Sequence, residues 1–496
     1  MTRNAGESVV RTVVRRNAYA DSITLLQVTS LVAAEPGVAD AALVMATELN
    51  RDVLRQTGLL TDEAAAAGPN DLVIAVRAVD EAAAYGALVF AEGTLQQRRR
   101  PPGGAGERPS PPRTLRRARQ EEPEATIALI SVPGPYAAAE ARQALLAGLH
   151  VFLFSDNVPL EDEIELKQRG QAAGLLVMGP DCGTAILHGV GLGFANVVRG
   201  GSIGLIGASG TGLQEVSCLL DRAGLGISHA IGTGGRDLDA RVGGLTTLHA
   251  LDLLRDDPAT EQIVLLSKPA APAVAERVLG AAAATGKPVI ACLLGAERMA
   301  APPGVRLART LDEAARLAAG GAEGSAVVAD GDVPLLSPPL DGSQRQVRGL
   351  FCGGSLCQEA ALLLGETIEH QVTDFGADEY TRGRAHPMID PSLRNQAILE
   401  AASDRRVAVL LLDVILGYGA HPDPAGAVAP TVREAQRRAA ADGRGLAILA
   451  HVVGTPGDPQ HLEQQEATLR GLGVHLCGSN AQMARTAGRL LARGGV

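Results

Sequence analysis

Twelve short apolar runs, most of them followed by a glycine loop, limit what the greater part of this 496-residue chain can become. Between residues 125 and 319 they read ATIALISV, HVFLFS, GLLVMG, SIGLIG, GISHAIGTG, QIVLLSK and KPVIACLLG. Between 347 and 493 they read RGLFCGG, QVTDFG, VAVLLLDVI, LAILAHVVG and GVHLCGS. Runs this short and rich in β-branched residues read as strands, and helical patterns separate most of them. The alternation predicts α/β domains with parallel strands and helices on both faces, a doubly wound arrangement. Ligands of such sheets bind beyond the carboxyl ends of the strands. The glycines stand there, at 133–135, 179–183, 207–212, 232–235, 353–355 and 454–457.

Two stretches rich in Pro, Gly and charge divide the chain. Residues 96–124, QQRRRPPGGAGERPSPPRTLRRARQEEPE, are expected to be a disordered linker, and residues 320–346 a second linker. Before the first, residues 1–95 alternate strand and helix as a small α+β domain, with a ferredoxin-like arrangement as one reading. Residues 125–319 and 347–496 are the two α/β parts.

Composition removes several classes of function. Aromatic residues make up 2% of the chain and Trp is absent, so no stacking platform for single-stranded nucleic acid is expected. A net charge of −10 offers no field for a polyanion. No apolar stretch nears the ~20 residues of a membrane span, and the first residues have no secretory apolar segment. The six cysteines lack CxxC spacing, which fits buried, reduced thiols without a metal site. A cytoplasmic protein that binds neither nucleic acid nor membrane is expected.

One glycine loop stands out. In SIGLIGASGTGLQE, residues 202–215, a strand runs through Ser209, Gly210, Thr211 and Gly212 into an amphipathic helix. A helix start of this kind presents outward N–H groups and the positive end of a dipole to an anion. The loop lacks the Lys of GxxxxGK[ST] and is no P-loop. FCGGSLCQEAALLLG, residues 351–365, has the same form, with Gly353, Gly354 and Ser355 at the turn. Two such starts facing each other would hold a phosphate between them. The plainer alternative for each loop is a strand-to-helix turn.

TRGRAHPMID brings Arg382, Arg384 and His386 within five residues, with Asp374, Asp378 and Asp390 nearby. Arginine forks grip carboxylates and phosphates, and a histidine can move a proton near neutral pH. The alternative is a loop held by Arg–Asp pairs. Lys268, Arg236 and Asp237 also stand at strand ends. His229 and His249 read as core or face residues, and His421 and His451 lie at strand ends.

VPGPYAAAEARQALLAGLHVFLFSDNVPLEDE together with LLVMGPDCG resembles the second half of the CoA-binding domain of the succinyl-CoA synthetase α subunit. SIGLIGASGTGLQEV with GTGGRD resembles the start of its ligase domain, and residues 347–490 resemble the β-subunit ligase domain. DFGADEYTRGRAHPMIDPSLRNQ, residues 374–396, points to the FdrA branch of that superfamily. The resemblance implies a CoA-binding-like Rossmann domain at 125–199, an α-like ligase domain at 200–319 and a β-like ligase domain at 347–496. It places the two glycine turns at the helices that grip phosphohistidine in the synthetases. Between Gly295 and Thr310, however, where the phosphorylated histidine would lie, there is no histidine. No segment is large enough for an ATP-grasp domain, and the first CoA-contacting turn has no counterpart. CoA is therefore not expected as a cofactor, and the expected ligand is phosphate or carbamoyl phosphate.

FdrA proteins are implied to be one subunit of an oxamate carbamoyltransferase of allantoin breakdown. That reaction turns oxalurate and phosphate into oxamate and carbamoyl phosphate. The expected partners are a small anionic substrate and the other subunits of an oligomeric complex. Two alternatives stay open: an acyl-CoA ligase served by a nucleotide-binding partner, and a non-catalytic scaffold.

Overall fold

The computed structural model describes residues 8–18, 20, 22–33, 35–99, 112–296, 299–321, 340, 343–381 and 385–494. The chain divides into two units, residues 1–110 with 382–385, and residues 111–381 with 386–496.

In the first unit β1 (Val9–Arg15), β2 (Val38–Met45) and β3 (Leu72–Ala78) form an antiparallel sheet in the order β1-β3-β2. Between β1 and β2 lies α1 (Ser22–Ala33); α2 (Glu48–Gln56) and α3 (Asp62–Ala65) precede β3, and α4 (Glu81–Arg99) follows it. A third strand inserted between two that a helix connects is the split βαβ of ferredoxin-like folds, here with three strands. The period of two in β3 decides the packing. Leu72, Ile74 and Val76 join α1 and α4, while Val73 and Ala75 meet Leu54 and Ala64 on the other face.

The expected linker at 96–124 is partly helical. Buried Leu95 extends the inner face of α4, which runs on to Arg99. Thr114 caps α5 (Leu115–Glu121), its Oγ1 accepting the N–H of Arg117. Residues 100–111 lie outside the described residues, as do 322–339, 341 and 342 of the second expected linker.

The second unit holds three sheets. The parallel strands β4 (Ile127–Ile130), β5 (His150–Leu153) and β6 (Val177–Met178) alternate with α6 (Gly134–Leu146) and α7 (Leu160–Ala172). The next sheet contains β7 (Thr184–Leu187), β8 (Val190–Gly193), β9 (Gly200–Ala208), β10 (Ile227–Gly232), β11 (Gln262–Ser267), β12 (Val289–Leu293) and β13 (Val305–Leu307). Its order is β13-β12-β11-β9-β10-β7-β8. The helices α8 (Gly210–Arg222), α9 (Leu245–Asp256), α10 (Pro272–Ala284) and α11 (Leu311–Ala318) complete it.

One feature differs from the expected all-parallel arrangement. β7 and β8 form a hairpin turning at His188 and Gly189, both with positive φ, and β7 pairs antiparallel with β10. These residues precede the expected domain boundary at 200, yet their hydrogen bonds belong to the sheet that follows it.

The last sheet has five parallel strands, β14 (Gln346–Phe351), β15 (His370–Asp374), β16 (Val407–Ile415), β17 (Ala447–Val453) and β18 (His475–Cys477), in the order β15-β14-β16-β17-β18. Its helices are α12 (Gly354–Leu364), α13 (Asp378–Thr381), α14 (Ser392–Ser403), α15 (Pro424–Ala441), α16 (Leu462–Gly471) and α17 (Asn480–Gly494). The parallel strands of both large sheets follow the order 2-1-3-4-5 of flavodoxin-like folds. The switch points lie between β9 and β11 and between β14 and β16, where such sheets open a ligand crevice.

A single apolar core joins the two halves. Leu213, Val216, Leu219 and Leu311 from one side meet Leu356, Ala360, Met483 and Leu490 from the other. Polar ties reinforce it: Asn196 Nδ2 donates to Leu416 O (3.0 Å) and Asp458 Oδ2 (2.8 Å), and an Arg222 guanidinium N–H donates to Val452 O (2.7 Å). All six cysteines are free and buried. Among the described residues no helix is long and apolar enough to cross a membrane.

Candidate functional site

Each switch point sends its first strand into a glycine turn, and the two turns meet. Ser209 is the N-cap of α8 and its Oγ accepts the Gly212 N–H at 2.9 Å. The same Oγ lies 2.5 Å from Ser355 Oγ, in the first turn of α12. The approach depends on glycine, since a Cβ on Gly353 would fall 2.9 Å from Thr211 Oγ1. Ser209 and Ser355 are buried, while Gly210, Thr211 and Gly354 remain partly open to solvent. The structure thus brings together all seven residues expected from the two turns.

A buried carboxylate sets the start of α12. Asp413 accepts the N–H groups of Cys352 (2.7 Å) and Gly353 (2.8 Å), and Arg394 pairs with it at 3.0 Å. These contacts hold the turn from below and leave the first-turn N–H groups of α12, at Gly354 and Ser355, facing outward. Burial pushes the Asp413 carboxyl up, against the pull of Arg394 and the two amides.

Around this double helix start stand groups that the sequence does not reveal as neighbours. A Cβ on Gly354 would lie 2.4 Å from Asp374 Oδ2 and 2.8 Å from Lys268 Nζ, so all three crowd the mouth. Among the described residues Lys268 has neither an ion pair nor a hydrogen-bond partner. Asp374 and Asp181 attract this ammonium without closing an ion pair with it, and the two positive helix ends stand beside it. Asp374 Oδ1 accepts the Gly376 N–H at 2.9 Å, while Oδ2 has no partner among the described residues. Loss of water pushes Asp374 up to about 6 despite Lys268 and the Gly376 amide. Asp181, held at positive φ in the loop after β6, is exposed to solvent. Nearby protein pushes its carboxyl up, with Lys268 opposing and Asp378 and Asp156 adding to the rise.

His386 lies beside Phe194, ring centroids 5.3 Å apart, and a Cβ on Gly376 would meet its Nε2 at 2.6 Å. Part of the ring is accessible, but the surrounding protein displaces its water. That loss, with Arg394 nearby, pushes it down to about 4. Its Nδ1 accepts the Met388 N–H at 3.3 Å, which leaves the proton of the neutral ring on Nε2. At neutral pH this is a hydrogen-bond donor and not the titrating acid or base that its unperturbed pKa suggests. Arg382 and Arg384 lie outside the described residues.

The other polar strand-end residues support the fold. Asp237 accepts the N–H groups of Thr246 (3.2 Å) and Thr247 (2.9 Å) at the start of α9, and Lys167 pairs with it at 2.7 Å in full burial. Arg236 pairs with Glu163 at 2.9 Å. His451 Nε2 meets Glu215 Oε2 at 2.7 Å while Nδ1 donates to Cys477 O, so this histidine links β17 to α8. His229 faces Asp257 at 3.5 Å.

Three family models match the chain. The one described as "AllF, heavy metal-associated domain" covers residues 7–111, "CoA binding domain" covers 199–294 and "CoA-ligase" covers 350–490. A protein of Escherichia coli (strain K12), described as "Uncharacterized protein YahF", is 41% identical over 522 residues. The match covers 98% of this chain and 99% of that protein. The succinate–CoA ligase (ADP-forming) subunit alpha of Methanothermobacter thermautotrophicus is 31% identical over 190 residues, 38% of this chain and 62% of that subunit. A mitochondrial succinate–CoA ligase subunit alpha-2 of Trichomonas vaginalis is 33% identical over 192 residues, 37% of this chain and 60% of that subunit.

Two groups suggested by these descriptions can be set against the residues present. Residues 7–111 contain neither Cys nor His, so they offer no thiolate or imidazole to a heavy metal. Among the described residues no three His, Cys, Asp or Glu side chains gather to hold an ion. At 207–212, inside the CoA-binding match, the turn faces a second helix start through the Ser209–Ser355 contact.

Proposed function

For a chain that belongs to the FdrA family of succinyl-CoA synthetase-like proteins, we propose a role as a subunit of an oxamate carbamoyltransferase. A phosphate oxygen attacks the ureido carbonyl of oxalurate, and the bond from that carbon to the oxamate nitrogen breaks. The proton released by phosphate ends on that nitrogen, giving oxamate and carbamoyl phosphate. The observation that carries the reading is the unpartnered Lys268 at the junction of two helix starts, a grip suited to a small anion.

In this reading Gly210, Thr211, Gly354 and Ser355 supply the free N–H groups of that grip, Ser209, Gly212 and Gly353 shape its two turns, and Lys268 lies beside the anion. His386 donates from Nε2, and Arg382 and Arg384 are assigned to the substrate carboxylate on sequence grounds. The absence of histidine between Gly295 and Thr310 removes the residue that a phosphoenzyme would need, so a transferase is favoured over an ATP-dependent ligase. No step passes through CoA, and the protein works in the cytoplasm beside its partner subunits.

The test has two arms. Inorganic phosphate binding to the purified chain should weaken about tenfold or more in Lys268→Ala, the loss of one charge-assisted contact. With the partner subunits present, oxalurate and phosphate should yield carbamoyl phosphate by 31P NMR. Formation of an acyl-CoA from acid, CoA and ATP, with no phosphorolysis, would establish the ligase instead.

A further inference from the structure

At the mouth of the site a free donor and a free acceptor lie side by side. Lys268 Nζ and Asp374 Oδ2 both come within 3 Å of the point where a Gly354 side chain would begin, at 2.8 and 2.4 Å. No ion pair closes between them, and neither atom has a hydrogen-bond partner among the described residues, although Asp181 adds its charge near Lys268. The first-turn N–H groups of α12 stand beside them as further donors.

A fully ionised phosphoryl group, as an acyl phosphate carries at neutral pH, accounts for only half of this arrangement. It satisfies Lys268 and the amides, but its acceptor oxygens oppose the acceptor Oδ2 of Asp374. A ligand that suits all three carries an acceptor and an N–H donor on one carbon, as the carbonyl oxygen and amino group of a carbamoyl unit do. An acetyl unit of the same shape puts a methyl group where the amino group would donate, and Asp374 stays unpaired.

We propose that Asp374 determines specificity by accepting a hydrogen bond from the carbamoyl amino group, so that the site takes carbamoyl phosphate in preference to acetyl phosphate. The inference rests on the anion site proposed above and names the group next to the phosphate. A site that hydrogen-bonds an N–H rejects an analogue lacking it because its own partly enclosed acceptor is left unmet.

The experiment is competition against bound inorganic phosphate on the full chain, with carbamoyl phosphate and acetyl phosphate as competitors. The wild type should favour carbamoyl phosphate by about tenfold or more. Asp374→Asn keeps an oxygen for the Gly376 N–H and turns the free acceptor into a donor. It should lose that preference by weakening carbamoyl phosphate alone, with its melting temperature showing that it folds. Equal affinities in the wild type, or an intact preference in Asp374→Asn, overturn the inference while the anion site stands. Binding of none of the three ligands overturns the anion site and the inference with it.

Discussion

Ser209 Oγ and Ser355 Oγ, from different halves of the chain, lie 2.5 Å apart with both residues buried. The contact joins the first turns of α8 and α12. Ser209 also caps its own helix, so the two hydroxyls are not equivalent.

Ser209→Ala removes a cap and the cross-helix bond, whereas Ser355→Ala removes the second alone. The first should cost about 1–2 kcal/mol and the second about 0.5–1.5 kcal/mol. Urea unfolding of both single variants and the double variant checks this, and the double-mutant cycle should show coupling. Strict additivity would mean that the short contact contributes no energy.

Arg382 and Arg384 are tested by kinetics. The proposed bidentate grip on the oxalurate carboxylate is worth about 1.5–3 kcal/mol, so with either replaced by Ala oxalurate affinity is expected to fall about tenfold or more. Arg→Lys should also weaken it, because an ammonium lacks the planar fork. Unchanged KM and kcat for oxalurate phosphorolysis in both Ala variants would move the carboxylate site elsewhere.

Glu359 on α12 makes stability depend on pH. It is buried, accepts the Leu311 N–H and an Asn480 amide N–H, and burial pushes it up to about 8 from 4.5. Between those values the unfolded chain releases the proton and the folded chain keeps it. The contribution is therefore full below pH 4.5 and is lost as pH rises through 8, on the order of 3–5 kcal/mol. Glu359→Gln should flatten this part of the unfolding free energy between pH 5 and 8. Parallel profiles for variant and wild type would refute the assignment.

Copper(I) or zinc(II) added to the full chain should leave hydrogen exchange in β1, β2 and β3 unchanged, since residues 7–111 hold no Cys or His. Metal-dependent protection confined to those strands would reveal a ligand set made of oxygen atoms alone.

The twelve apolar runs were readable because strands buried on both faces leave an unbroken β-branched signal, and all twelve contain a strand. The hairpin of β7 and β8 was not. TAILHGVGLG is short and Gly-rich, and its partner β10 lies more than thirty residues away. The meeting of the two glycine turns was legible from their shared form and from the family resemblance. Lys268 was legible as a strand-end cation, but its convergence with Asp181 and Asp374 was not, since the three belong to different strand ends and only the folded sheets bring them to one mouth. His386 was visible as a candidate, but its chemistry depends on enclosure beside Phe194, which sequence spacing does not encode.

The apolar core shared by the two large sheets has a kinetic consequence. Clefts between separately folded domains admit ligands by rotating about a hinge. Here such a rotation would part Leu213 and Leu356 from a common interior and uncover both. For the anion site proposed above, the two turns already stand together, so capture calls for no closing motion. Substitutions at Lys268, Gly210, Thr211 and Gly354 are then expected to act on departure of the ion more than on its arrival.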